Sequence, residues 1–127
     1  MSIEMSLELS DGLSIEDIKA ILFSCGATLV EEDTDKSLVF FSDSKMNAWI
    51  DPSGMNTSVR AMGISSTNWS VKYRILFRLF GNKYDECKRD FDCTIRKIAK
   101  NGNVYFIAAY QFEDIYAIRD EGGLRFF

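Results

Sequence analysis

An α+β fold, with an antiparallel or mixed sheet and two helices, is predicted by three features of the sequence. Residues 2–10 and 70–80 alternate apolar and polar side chains with the two-residue period of a strand. Each is followed by one amphipathic helical stretch that runs to a glycine, Gly26 and Gly102. After each helix come short β-rich segments separated by polar turns. The 127 residues fit a single domain over 1–127. At that length folding removes roughly two-thirds of the unfolded surface from water, so no metal or disulfide is needed to complete the core.

In the first segment Ile3, Met5, Leu7 and Leu9 fall on one face and Ser2, Glu4, Ser6, Glu8 and Ser10 on the other, which makes a half-buried strand. Ser14 and Asp17 have the spacing of a capping box, and Leu13 and Ile18 that of a hydrophobic staple. A helix is therefore expected from Ile15, with Ile15, Ile18, Ile21, Leu22 and Cys25 as its buried stripe and Gly26 as its stop. Four β segments are expected next: Ala27–Glu31, Ser37–Ser42, Met46–Ile50 and Met55–Met62. Their turns fall at 32–36, 43–45 and 51–54, the last holding Pro52. Gly63–Trp69 reads as a polar, mobile loop.

Val71, Tyr73, Ile75, Phe77 and Leu79 then alternate against Ser70, Lys72, Arg74, Leu76, Arg78 and Phe80, giving a second amphipathic strand with a basic outer face. Asn82 is the candidate N-cap of the second helix, whose stripe is Tyr84, Cys87, Phe91, Ile95 and Ile98. Strands are expected at Val104–Gln111, Ile115–Arg119 and Leu124–Phe127, with a turn at Gly122-Gly123. By their periods, Phe40 or Phe41, Tyr73, Phe77, Phe91, Phe106 and Phe112 belong to the core. Two β-α-β-β units with the same punctuation suggest a ferredoxin-like repeat with extra strands. In such a sheet the two strands that precede helices lie side by side in the centre, joined by right-handed crossovers. Glu4 and Glu8 would then share an open face with Lys72, Arg74 and Arg78 and neutralise much of it.

The chain has no histidine, which excludes Ser-His-Asp and Cys-His nucleophile activation. Three cysteines, Cys25, Cys87 and Cys93, lack a Cys-x-x-Cys pair, cannot complete a four-ligand zinc site and, being odd in number, argue against a disulfide framework. They read as small buried hydrophobes in a reducing compartment. Asp33-Thr34-Asp35 begins like a calcium loop but lacks the later glycine and glutamate. Charges of both signs along the second helix read as pairs three and four residues apart. No glycine-rich phosphate loop, signal peptide or membrane span is recognisable. The expectation is a cytoplasmic, non-catalytic protein with no metal and no cofactor.

The net charge of −4 hides a division along the chain. Residues 1–55 hold eleven acids and three bases, net −8, whereas residues 56–127 hold eight acids and twelve bases, net +4. An acidic surface repels phosphate, so direct nucleic-acid binding is not expected, while a basic protein is a natural partner. Small size, acidity, absence of histidine and the α+β pattern resemble bacterial immunity proteins, the antitoxins of contact-dependent growth-inhibition toxins. The stretch from Tyr110 to Leu124, opening Tyr110-Gln111-Phe112-Glu113-Asp114 and closing Asp120-Glu121-Gly122-Gly123-Leu124, is similar to the C-terminal strands of some of them.

The resemblance implies a protein that binds and neutralises a cognate toxin, often a basic nuclease, by covering its active site or substrate path. These families share no diagnostic motif, so the resemblance assigns no residue roles. On charge alone, Glu31, Glu32, Asp33, Asp35, Asp43 and Asp51 are the expected steering residues of a toxin-binding surface, with Trp49 as its anchor. Glu113, Asp114, Tyr116, Asp120 and Glu121 form a second candidate surface. The alternative reading is a small ferredoxin-like regulatory or ligand-binding domain, dimeric through a sheet edge or the Arg-rich face.

Overall fold

Hydrophobic alternation on the central strands and a single apolar stripe on each of two helices leave one way to bury both: the helices lie on one face of one sheet. The computed structural model describes residues 2–33, 36–61, 67–101 and 103–127. The elements in order are β1 (Ser2–Leu9), α1 (Ile15–Ser24), β2 (Ala27–Glu32), β3 (Ser37–Phe41), β4 (Asn47–Pro52), β5 (Tyr73–Phe80), α2 (Tyr84–Ala99), β6 (Phe106–Tyr110), β7 (Asp114–Asp120) and β8 (Gly123–Phe126). They form an α+β fold with an antiparallel eight-stranded sheet of order β2-β3-β4-β5-β1-β6-β7-β8.

The chain leaves β1 through α1 for the far edge, then meanders back through β2, β3 and β4 to β5, which pairs with β1 from Ser2↔Phe80 to Leu9↔Tyr73. The two strands that precede helices are thus adjacent. No helix joins them directly, because they run antiparallel: α1 leads from β1 to β2, and α2 carries β5 across to β6 on the other side of β1. Strands 27–52 belong to the same sheet as the C-terminal ones, and eight strands exceed the number in a simple ferredoxin-like repeat.

The capping box of α1 is present, with the Asp17 amide donating to Ser14 Oγ at 3.1 Å and the Ser14 amide donating to the Asp17 carboxylate at 3.3 Å. Gly26 follows the helix at φ 105°, a conformation that disfavours any side chain. Ile18 and Leu22 of α1 with its C-cap Cys25, and Cys87, Phe91, Ile95 and Ile98 of α2, are buried against Met5, Leu7, Leu9, Ile75, Phe77 and Leu79 of the central strands. Phe77 and Phe91 meet edge to face with centroids 4.9 Å apart, the arrangement that ring quadrupoles favour.

Four sequence expectations are corrected. Asn82 is not a cap: it lies in a 3₁₀ turn, Gly81–Lys83, and α2 starts at Tyr84 without a side-chain cap. Residues 55–61 form no strand, because the amides of Arg60 and Ala61 are taken by the Glu8 carboxylate instead of a neighbouring backbone. Phe112 is not a core residue but sits in the β6–β7 turn at φ 62°. Among the described residues α2 holds no internal ion pair; Lys88 and Arg96 lie over the rings of Tyr116 and Phe126. Gly102, Met62 and most of the Gly63–Trp69 loop lie outside the described residues.

Candidate functional site

Alternation sends one set of side chains to the helices and the other to the opposite, open face of the sheet. On that face Glu4 and Glu8 of β1 stand opposite Arg78 and Arg74 of β5, as the alternation requires. Glu8 is fully buried. Its carboxylate accepts the Arg60 amide at 2.9 Å, the Ala61 amide at 2.9 Å and Arg74 Nε at 3.0 Å. The other two Arg74 nitrogens donate to the carbonyls of Asn56 and Ser58 at 2.7 and 2.6 Å. A buried ion pair thereby rivets residues 53–61 across the sheet as a strap. Beneath it Val59, Ala61 and Trp69 pack on Ile107, Ala109, Ile115 and Ile118, a second small core. Trp69 is a core-edge residue there.

The strap covers the β1–β6–β7 part of the open face. On the β3–β4–β5 part, Leu38, Phe40, Trp49, Leu76 and Phe80 remain half-buried on the side away from the helices. Trp49 is central, paired with Leu38 on one side and Leu76 on the other, and the Arg78 guanidinium lies 5.2 Å from its ring centre. Trp49 also lines a small cleft of about 170 Å³ with Glu31, Asp33, Lys36 and Leu38. A larger cleft of about 410 Å³ adjoins it, bounded by Lys36, Asp51, Arg60, Arg74, Leu76 and Phe112.

Two polar atoms of this face, Asp51 Oδ1 and Arg78 Nε, are shielded from water and have no hydrogen-bond partner among the described residues. Lys36 reaches Asp51 Oδ1 only as an ion pair at 3.8 Å. Unsatisfied buried polar atoms are scarce in folded proteins, since each costs about 1–3 kcal/mol. Here they lie on either side of Trp49.

The turn that carries Phe112 is also unusual. Gln111 and Phe112 both have positive φ, 51° and 62°, and the Glu113 amide donates to the Tyr110 carbonyl at 2.7 Å. This is a type I′ turn, whose two central positions suit Asn and Gly and strain other residues. The turn sets Phe112 at the larger cleft.

The structure brings Glu31, Asp33, Trp49 and Asp51 to one end of the open face. Glu32 points the other way: it takes a hydrogen bond from Lys19 of α1, which together with Glu16 raises the Lys19 pKa against the cost of burial. Asp43 sits in the β3–β4 turn, at the opposite end of β3 from Glu31. Asp35 lies outside the described residues. The second candidate surface is divided. Tyr116 turns to the helix layer and donates to Asp92 at 2.7 Å, while Asp120 pairs with Arg125 at 2.5 Å and Glu121 accepts from Asn68 at 3.1 Å. Sequence reasoning set Glu8 on the open face with Arg74 but missed its bonds to the amides of Arg60 and Ala61, and it missed Phe112 as a lining residue of the larger cleft.

Among the described residues no three Cys, Asp or Glu side chains gather closely enough to hold a metal ion. No helix among them is long and apolar enough to cross a membrane. No protein-family model matches the chain, and neither a curated protein nor a solved structure was found to match it.

Proposed function

We propose that this protein is a non-catalytic immunity protein that neutralises a basic toxin domain, a nuclease by the resemblance to immunity proteins, through the open face of β3–β4–β5. The framework is an elaborated ferredoxin-like sheet, a reading supported by the adjacency of β1 and β5 and by the passage of α2 from β5 to β6 around β1. The observation that carries the function is Trp49, a half-buried aromatic between two polar atoms that have no partner among the described residues, with Glu31, Asp33 and Asp51 beside it. Interface hot spots have this anatomy: an aromatic anchor that becomes fully desolvated, ringed by polar groups that find partners on binding. Acidic neighbours speed encounter with a cation-rich partner and select against anionic ones.

The larger cleft favours a second reading. Lys36, Arg60 and Arg74 face one carboxylate across about 410 Å³, a size that suits a small anionic ligand of a regulatory domain.

The test is capture of partners by the tagged protein in its native cells, followed by calorimetry with the captured partner and with a Trp49→Ala, Asp33→Lys double variant. A basic partner whose nuclease activity is inhibited, and whose affinity falls at least tenfold with the folded double variant, supports the proposal. A dimer formed only with a metabolite and no protein partner moves the case to the second reading. Inhibition that the double variant leaves unchanged removes this face from the function.

A further inference from the structure

The fold divides the three thiols into one and two. Cys87 is fully buried in α2 and donates to the Ser44 carbonyl at 3.4 Å. Cys25, the C-cap of α1, and Cys93 of α2 face each other across the seam between the helices, with Sγ atoms 2.6 Å apart. That is well inside the contact distance of two unbonded sulfurs, and neither helix would have to move far for a bond to close. The pair is also reachable, since Cys25 is 8% exposed whereas Cys93 is partly open to solvent. One helical turn beyond Cys93, Lys97 Nζ donates to Ser24 Oγ at 2.9 Å and to its carbonyl at 3.3 Å, which fixes a cation near Cys25.

We propose that Cys25 and Cys93 form a site of reversible oxidation, closed to an intramolecular disulfide by a peroxide and reopened by a small-molecule thiol. Burial and the hydrogen bond with Cys93 push the Cys25 thiol up to about 11, so Cys93 is the residue that meets the oxidant. The Cys93 sulfur attacks one peroxide oxygen, the O–O bond breaks, and water leaves with a sulfenic acid on Cys93. Cys25 Sγ then attacks the Cys93 sulfur; the S–S bond forms, the S–O bond breaks, and the departing hydroxide leaves as a second water with the Cys25 proton. One peroxide is reduced to two waters as two thiols become one disulfide. Reduction by two equivalents of thiol reverses the step through a mixed disulfide.

The bond joins positions 68 residues apart, so it restricts the unfolded chain far more than the folded one, and a rise in Tm on the order of 10 °C is expected. It lies in the helix layer and does not depend on the function proposed for the open face.

The experiment exposes the full chain to hydrogen peroxide at a slight molar excess and reads intact mass, thiol content after denaturation, and Tm. Expected are a loss of about 2 Da, a fall from three alkylatable thiols to one, and a cross-linked peptide pair containing residues 25 and 93. Dithiothreitol restores all of these, and Cys93→Ser abolishes the Tm rise. Three thiols retained, a gain of about 32 Da from sulfinic acid, or a cross-link through Cys87 or to a second chain overturns the proposal. If Cys93→Ser does not fold, the mass and thiol count of the unsubstituted chain decide.

Discussion

Glu8→Ala removes the carboxylate on which the strap hangs. In the native structure that carboxylate, at 0% exposure, satisfies Arg74 Nε and the amides of Arg60 and Ala61. Deleting one partner of a buried ion pair costs about 3–5 kcal/mol, because the remaining charge loses its counterpart but not its burial. Two features hold the loss toward the lower end. Arg74 keeps its bonds to the carbonyls of Asn56 and Ser58, and the strap can lift so that water reaches the freed amides. We expect about 3–4 kcal/mol, equivalent to a Tm lower by roughly 11–15 °C for a chain of this length. Glu8→Gln keeps the shape and one acceptor oxygen, and about half that loss is expected. Urea unfolding followed by tryptophan fluorescence measures it, with Trp69 reporting on the strap because it packs in the core that the strap covers. Adding Arg74→Leu to Glu8→Ala removes the stranded charge, so the double variant is expected to lose less than the sum of the single ones. A loss below about 1 kcal/mol for Glu8→Ala, with Trp69 emission unchanged, would refute the account of the strap.

Three other outcomes follow from the same geometry. Replacing Gln111-Phe112 by Asn-Gly suits the type I′ turn and is expected to stabilise the fold by about 1 kcal/mol while weakening partner binding; equal or lower stability in urea would show that the turn is unstrained. Burial and the bond to Tyr84 push the Tyr110 phenol up to about 12, and burial with the Asp92 bond raises Tyr116 likewise. Unfolded tyrosines ionise near pH 10, so above that pH the native state holds more protons than the unfolded one. Stability is therefore complete below pH 10 and declines toward pH 12, more gently in Tyr116→Phe; unfolding free energies that agree at pH 8 and pH 11 would contradict this. Lys19→Met keeps the buried stem of a side chain that links α1 to Glu32 of β2, and a loss of about 1 kcal/mol is expected by thermal unfolding, with none indicating that the pair contributes only position.

Much of the fold was legible because its signals are local. The alternation of 2–10, the capping box at Ser14 and Asp17, and the stop at Gly26 each act within a few residues, and each element stands where they put it. The segment 55–61 was misread because its period is that of a strand while its amides bond to a side chain 52 and 53 residues away. Phe112 was misread for a related reason: its period fits a core position, but a turn with two left-handed residues outside the usual Asn-Gly pattern rotates it to the open face. The nearness of Cys25 and Cys93 depends on how α1 and α2 dock, which no spacing along the chain encodes. Local patterns fix what an element is, and long-range pairing decides what each face meets.

The same distinction changes the electrostatic argument for the site. Counted along the sequence, the first 55 residues carry net −8, which suggests a strong field. In three dimensions Glu4 and Glu8 pair with Arg78 and Arg74 from the other half, Glu32 is held by Lys19, and Asp51 is matched by Lys36. Charges neutralised within a few ångströms contribute little beyond a Debye length of about 8 Å. The field that a partner meets near Trp49 is therefore set by a few acids, Glu31 among them, and not by the whole acidic half. Steering by so few charges changes the association rate modestly with salt, whereas loss of a desolvated aromatic acts on dissociation. For the proposed complex, Trp49→Ala is accordingly expected to raise the dissociation rate by more than tenfold, and Glu31→Lys to change mainly the salt dependence of association. Stopped-flow rates at two ionic strengths separate the two effects, and a Trp49 variant that alters only association would place the anchor elsewhere on the sheet.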